Sequence, residues 1–288
     1  MKLLFLLSCL IAVQAGVRRR NAPCEGPVIN NIHYSNETLK TDLDRPYLLT
    51  VDRTTNTLYF SYTTNKDDDT FKSAKININT KEFSDIDGVP NGFAQSVDAK
   101  TSDVYIGGSE GVYKYNKNSN KAEFFIANDV DIWLLYFKDA LYFSEYPSQF
   151  LFTVVDGNVT RFKDLEDTKV DNFVIDNDKN MFFTNYSGLY SQKKDTKDAV
   201  YYEDSSDVSI RGLTTDGKGN VYACVQNGIY AVNKDKHVLE NIYTIDDAFG
   251  VAFDDNDNLI YADAKSLVRL KKSDNQDCDK TEHADHTE

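Results

Sequence analysis

Between Leu49 and Tyr62 the chain reads LTVDRTTNTLYFSY: a short apolar run, a polar turn, and a second apolar run. Runs this short, rich in Leu, Val, Tyr and Phe and bounded by turn residues, predict strands rather than helices. The Asp that ends the first run and the Asn before the second are turn chemistry. Their short side chains hydrogen-bond the local backbone and tolerate left-handed conformations. The phrase then returns as SVDAKTSDVYIGG (96–108), in shortened form as LYFKDALYFSEY (135–146), and as VIDNDKNMFFTNY (174–186), TTDGKGNVYACV (214–225) and AFDDNDNLIYADA (252–264). Its marker acid is Asp52, Asp98, Asp176, Asp216 or Asp254, and only the third copy lacks it.

A second apolar phrase follows the first: GVYKYN from Gly111, GLYSQ from Gly188, GIYAVN from Gly228 and LVRLKK from Leu267. Most units then close with another short run, such as AEFFIA (122–127), AVYYE (199–203) or ENIYTI (240–245). Four short strands in each unit of about 40 residues is the pattern of a propeller blade. The expected architecture is all-β: a six-bladed β-propeller of four-stranded blades near 45–90, 91–129, 130–167, 168–206, 207–246 and 247–272. A β-sandwich or two small β domains is the competing arrangement. The sixth unit has only three runs before the chain turns polar at Lys271, so its outer strand is expected from the N-terminus, at Val28–Tyr34. That antiparallel pairing would bring Cys24 near Cys278, and a bridge there would clamp the ring.

The first fifteen residues, MKLLFLLSCLIAVQA, combine one Lys, an apolar run and a small-residue ending. This reads as a secretory signal peptide (1–15) rather than a membrane anchor, and Arg18–Arg20 is weak evidence for further trimming. The propeller domain is expected over 21–278 and a disordered tail over 279–288. No later run reaches the ~18–20 apolar residues of a spanning helix. The net charge of −14 argues against nucleic acid or an anionic membrane as partner, since affinity for either comes mostly from Lys and Arg. A monomer is expected. Three Cys follow the signal sequence. Pairing Cys24 with Cys278 leaves Cys224, inside VYACV, as a buried small hydrophobe. The sequons at Asn36, Asn158 and Asn185 are glycosylation candidates in a secreted chain; Asn185 falls near the proposed pocket.

Two motifs are set aside. Gly107–Gly111 matches G-x-S-x-G, yet it joins two strands, whereas the hydrolase elbow needs a strand, a turn and a helix. DNDKN (176–180) and DDNDN (254–258) lack the Glu that an EF-hand loop carries at its twelfth position, where Ser187 and Lys265 stand. They read as repeat turns, and neither a metal nor a cofactor is expected.

The ring itself proposes a ligand site, because inner strands begin, and second strands end, on one face. The candidates there are Arg45, Tyr47, Phe93, Trp133, Phe173, Arg211 and Phe249 from the inner starts, with Tyr62, Tyr146 and Tyr186 from the second-strand ends. Such a mouth suits a planar aromatic ligand, with Arg45 or Arg211 taking a carboxylate. The competing reading packs these rings between blades.

Cys24-Glu25-Gly26, Asp44-Arg45-Pro46-Tyr47, LYFSY, Asn91-Gly92-Phe93-Ala94-Gln95 and Tyr105-Ile106-Gly107-Gly108, in this order and spacing, resemble the insect ommochrome-binding proteins. The resemblance runs to about Cys278. It implies a secreted haemolymph protein that carries ommochrome pigments or their precursors, which are planar, tryptophan-derived and amino-acid-bearing, without catalysis. More distantly the blades resemble gluconolactonase-type and yellow/royal-jelly-type propellers. The lactonases hold a divalent metal on the axis, for which Asp131, Asp171, Asn91 and Asn172 are the scattered candidates here. That leaves a metal-dependent lactonase or esterase-like hydrolase, and a protein-interaction propeller, as alternative readings.

Overall fold

The repeated phrase builds the two innermost strands of each blade, and its polar turn joins them on one face of a ring. The computed structural model describes residues 26–29, 31–65 and 70–273. In chain order, β1 (Val28–Ile29) and β2 (Ile32–Lys40) come first. Blade one is β3 (Tyr47–Asp52), β4 (Thr57–Asn65), β5 (Thr70–Asn77) and β6 (Phe83–Asp85). Blade two is β7 (Ala94–Val97), β8 (Val104–Gly108), β9 (Gly111–Asn116) and β10 (Lys121–Ile126). Blade three is β11 (Ile132–Lys138), β12 (Ala140–Glu145), β13 (Leu151–Val155) and β14 (Asn158–Arg161). Blade four is β15 (Asn172–Ile175), β16 (Asn180–Asn185), β17 (Gly188–Lys193) and β18 (Ala199–Tyr201). Blade five is β19 (Ile210–Thr215), β20 (Val221–Val225), β21 (Gly228–Asn233) and β22 (Val238–Thr244). Blade six holds β23 (Gly250–Phe253), β24 (Leu259–Ala262) and β25 (Leu267–Lys272). The chain is thus the all-β, six-bladed propeller that the repeat predicts.

The N-terminus closes the ring, as expected, but with a different stretch. β2 pairs antiparallel with β25, from Tyr34 opposite Lys272 to Lys40 opposite Leu267. Val28–Tyr34 is not one strand, because the chain turns at Asn31, which sits at φ 62°. β1 therefore folds back on β2 as a fifth strand, with Ile29 opposite Ile32. Arg269 on β25 fastens this seam: it donates to Glu37 Oε2 on β2 from Nε (2.9 Å) and Nη2 (2.6 Å), and to Asp254 from Nη1 (3.2 Å). The signal sequence, Cys24 and Cys278, and the 279–288 tail lie outside the described residues.

The marker acids recur because each has the same structural task. At the end of β3, Asp52 accepts the Thr54 N–H (3.1 Å) and the Thr55 hydroxyl (2.9 Å). Asp176, Asp216 and Asp254 each accept two backbone N–H groups and the side-chain amide of Asn180, Asn220 or Asn258. These bonds hold the hairpin shut and satisfy acids that are, at Asp52, Asp176 and Asp254, fully buried. A neighbour then adds a cation: Lys117 of blade two reaches Asp52 (3.0 Å), and Lys234 of blade five reaches Asp176 (2.6 Å). The acids thereby tie blades together. The third copy dispenses with one because Lys138 pairs with Ala140 across Asp139 alone.

Burial by itself would raise the Asp52 and Asp176 carboxyls, but the lysine, hydroxyl and amide donors outweigh it, and both lie below the usual carboxylate range. A carboxyl held low in the folded state stabilises the fold above its unfolded value of about 3.9, and that contribution fades as pH falls through the folded value. Lys234→Met should therefore cost about 1–2 kcal/mol at pH 7, less than for a wholly buried pair because Lys234 is part-exposed. Most of that difference should vanish on acidification. Urea unfolding at pH 7 and below pH 4 checks both; an equal loss at the two values would contradict the linkage.

Between the blades lie apolar clusters, such as Leu49, Leu58, Phe60, Ile76 and Ile260 where blades one and six meet. Cys224 is fully buried and burial pushes its thiol up to about 12, in keeping with an inert core residue. The Gly107–Gly111 motif is a hairpin, with Gly108 opposite Gly111 across Ser109 and Glu110.

Candidate functional site

Three of the six inner strands begin with a β-bulge, and the bulges fall in alternate blades. In blade one the register slips between Tyr47 and Thr50, where Leu48 takes φ 49°. In blade three Trp133 is the extra residue between the Ile132–Glu145 and Leu134–Ser144 pairs. In blade five Arg211 is the extra residue between the Ile210–Val225 and Gly212–Cys224 pairs. A bulge re-aims a side chain out of the pleat. Blades two, four and six do without one. There the residue just before the inner strand donates its N–H to the end of the second strand: Phe93 to Gly107, Asp171 to Thr184 and Phe249 to Ala262 (each 2.8 Å).

Six positions thus ring the mouth: Tyr47, Phe93, Trp133, Asp171, Arg211 and Phe249. Neighbours touch around most of the circle. Ring centroids lie 5.2 Å apart for Phe249–Tyr47, 5.8 Å for Tyr47–Phe93 and 5.3 Å for Phe93–Trp133. The Trp133 indole N–H donates to the Asp171 carbonyl (3.2 Å), and the Arg211 guanidinium lies over the Phe249 ring at 4.3 Å. Four aromatics, one acid and one base make the rim. Below it runs a channel of about 210 Å³ walled by the inner strands of all six blades. Beside it, between blades six and one, an open groove of about 690 Å³ is lined by Asp42, Asp44, Arg45, Asp247, Phe249 and Lys265 among others.

The remaining sequence candidates are placed differently. Tyr146 is exposed at the rim beside Trp133, with centroids 6.1 Å apart. Arg45 stands beside Asp44 (3.8 Å) and lines the groove. Tyr62 packs against Phe60 and Phe83 and donates its hydroxyl to Asp85 (2.8 Å), away from the ring of six. Phe173 is buried against Tyr136, Tyr142 and Phe162. Tyr186 is exposed on a separate cleft of about 70 Å³ that Asp171 also lines. Asn36 and Asn158 are exposed on β2 and β14, whereas Asn185 is half-buried and its side-chain oxygen accepts the Ser187 N–H (2.8 Å).

Two participants escape the sequence reading. Phe71 joins the arc at 4.6 Å from Phe93 and 5.8 Å from Tyr47, its N–H held by the Asn91 side chain (2.7 Å). It opens a third strand, outside the inner-start pattern. Asp247 pairs with Arg211 (2.8 Å), which only the folded ring reveals. Electrostatically the mouth is mixed. Burial raises the Asp131 carboxyl, and burial likewise raises Asp171 although Gln149 donates to it.

Of the four scattered metal candidates, Asn91 already accepts the Phe71 N–H through Oδ1 (2.7 Å), Asn172 donates its side-chain amide to the Thr184 hydroxyl (2.9 Å), and Asp171 accepts from Gln149 through Oδ1. Among the described residues no three His, Cys, Asp or Glu side chains gather at metal-binding spacing. Nor is any described helix long and apolar enough to cross a membrane.

No family model matches the chain. In sequence it is 29% identical over 280 residues to the ommochrome-binding protein of Manduca sexta, covering 95% of this chain and 99% of that one. In structure it is similar to a gluconolactonase of Xanthomonas campestris, with a TM-score of 0.68 at 14% identity over 87% of this chain and 96% of that one. A calcium-binding protein, regucalcin, from Agrobacterium tumefaciens matches with a TM-score of 0.63 at 11% identity, over 83% and 96%. At those identities the solved structures speak for the fold alone. The resemblance read from the sequence holds on both counts: this chain is similar along nearly its whole length to an ommochrome-binding protein, on a propeller scaffold of the gluconolactonase type.

Proposed function

We propose that the protein is a secreted, monomeric haemolymph carrier that binds an ommochrome or its precursor in the propeller mouth without catalysing a reaction. The observation that carries this reading is the contact series Phe249–Tyr47–Phe93–Trp133 at the rim, with Arg211 at its end. Rings in edge-to-face and tilted contact offer a flat dye a mixture of stacking and edge contacts, each favourable one worth about 0.5–1.5 kcal/mol beyond the area buried. The Manduca sexta relative, named for ommochrome binding, supports the ligand class. The apolar first fifteen residues support secretion. Glycans at Asn36 and Asn158 would leave the mouth clear, and the net charge of −14 argues against polyanionic partners.

Trp133 is the chain's single tryptophan, so its fluorescence reports on the rim directly. Titration of the purified protein with an ommochrome should quench it and shift the pigment's absorption, both saturating at one equivalent. Absence of both changes would remove the carrier reading. Likeness in fold to gluconolactonases supports a hydrolase less well, because aromatic rings stand at four of the six rim positions.

A further inference from the structure

We infer that Arg211 and Asp247 together form a reader for a free α-amino-acid group, so that the site takes planar aromatic zwitterions in preference to the corresponding acids or amines. This rests on the mouth being a ligand site and goes beyond it by assigning the ligand's polar end.

The guanidinium is held from three sides. Its Nη1 donates to Asp247 Oδ1 and to the Ala248 carbonyl, both at 2.8 Å, and its Cζ lies over the Phe249 ring, 4.3 Å from the centroid. Among the described residues its Nε and Nη2 donate to no protein acceptor. Arg211 lines the channel, while Asp247, at φ 56°, lines the groove beside it; Phe249 belongs to both walls. Asp247 accepts from Arg211 through Oδ1, and among the described residues no protein donor reaches its Oδ2. A fixed base and a fixed acid thus stand side by side where the aromatic arc ends.

Two charges in hydrogen-bond contact are spaced like the ammonium and carboxylate of one amino acid. A carboxylate meets the guanidinium through charge-assisted hydrogen bonds, and an ammonium meets the free carboxylate oxygen. The pair is neutral as a unit, and that sets the selectivity. A ligand bearing only a carboxylate is attracted by Arg211 but repelled by Asp247, and one bearing only an amine meets the reverse. Only the zwitterion answers both charges, as in recognition built on complementary and repulsive elements together. The charged groups on the groove wall, Asp42, Asp44, Arg45 and Lys265, carry both signs and do not favour one class.

Calorimetric titration with L-tryptophan, tryptamine and indole-3-propionate, which share a ring and differ in the polar end, tests this beside the pigment titration. L-tryptophan should bind at least about tenfold more tightly than either analogue. Arg211→Gln and Asp247→Asn should each erase most of that preference while leaving the circular dichroism spectrum unchanged. Asp247→Asn in particular should bring indole-3-propionate close to L-tryptophan. Equal binding of the three probes, no binding of any, or a preference that survives both substitutions would overturn the inference. If the pigment binds and the probes are not distinguished, the carrier reading stands and this one falls. If the probes are distinguished and the pigment does not bind, the amino-acid reader stands without the pigment.

Discussion

Arg269→Met should lower the free energy of unfolding by about 3–5 kcal/mol, the range for breaking a buried ion pair from one side. The Arg269 side chain is 9% exposed and Asp254 is fully buried, so methionine fills the space and leaves an acid without its cation. Asp254 keeps the Asn256 and Asn258 donors, which places the loss within that range rather than above it. Glu37→Gln should cost far less, about 1 kcal/mol or below, because Glu37 is more exposed and its partner retains Asp254. Urea unfolding of the two variants separates the effects. Hydrogen exchange across Ile32–Lys40 should rise more than across the other blades in the methionine variant, since that stretch holds only the closing seam. A loss below 1 kcal/mol for Arg269→Met would show that the strand pairing alone secures the ring.

Two phenylalanines that look alike in the sequence should behave in opposite ways. Phe93→Ala removes the ring that touches Tyr47, Phe71 and Trp133 together. Pigment affinity should drop about tenfold or more, equivalent to about 1.4 kcal/mol, with a stability cost of about 1–2 kcal/mol for a half-buried ring. Phe173→Ala should cost about 3–5 kcal/mol of stability, as for other buried rings cut to Ala. Folded Phe173→Ala protein should bind pigment with nearly the parent affinity. Equilibrium titration and thermal melts on both variants decide it, and the reverse pattern would relocate the ligand to blade four.

The reason for that difference also explains how far the sequence could be read. Repeats were legible because the marker acids do visible structural work: a hairpin that buries its Asp must supply the N–H groups, and those constraints recur in spelling. Register at the mouth was not. Asn91-Gly92-Phe93 and Asp171-Asn172-Phe173 look equivalent, but the N–H donated to the second strand comes from Phe93 in one and Asp171 in the other. Phe173 therefore stands level with Gln95, about 7 Å further along the strand. Bulges at Leu48, Trp133 and Arg211 shift alternate blades by one residue, and a bulge has no fixed spelling. Trp133 and Arg211 are among the sequence candidates because the repeat marks Asp131–Trp133 and Arg211–Gly212 as inner-strand starts. The closing strand was expected in kind and misplaced in register, because the turn at Asn31 competes with a continuous run of extended residues.

That closing strand has a consequence for how the protein is made. The stretch that seals the last sheet, Ile32–Lys40, leaves the ribosome more than 200 residues ahead of its partner, Leu267–Lys272. Throughout synthesis the growing chain must keep its leading strand waiting with an edge unpaired, and a product that stops short of residue 267 has nothing to dock it against. Closure of this ring therefore requires that translation has passed Lys272.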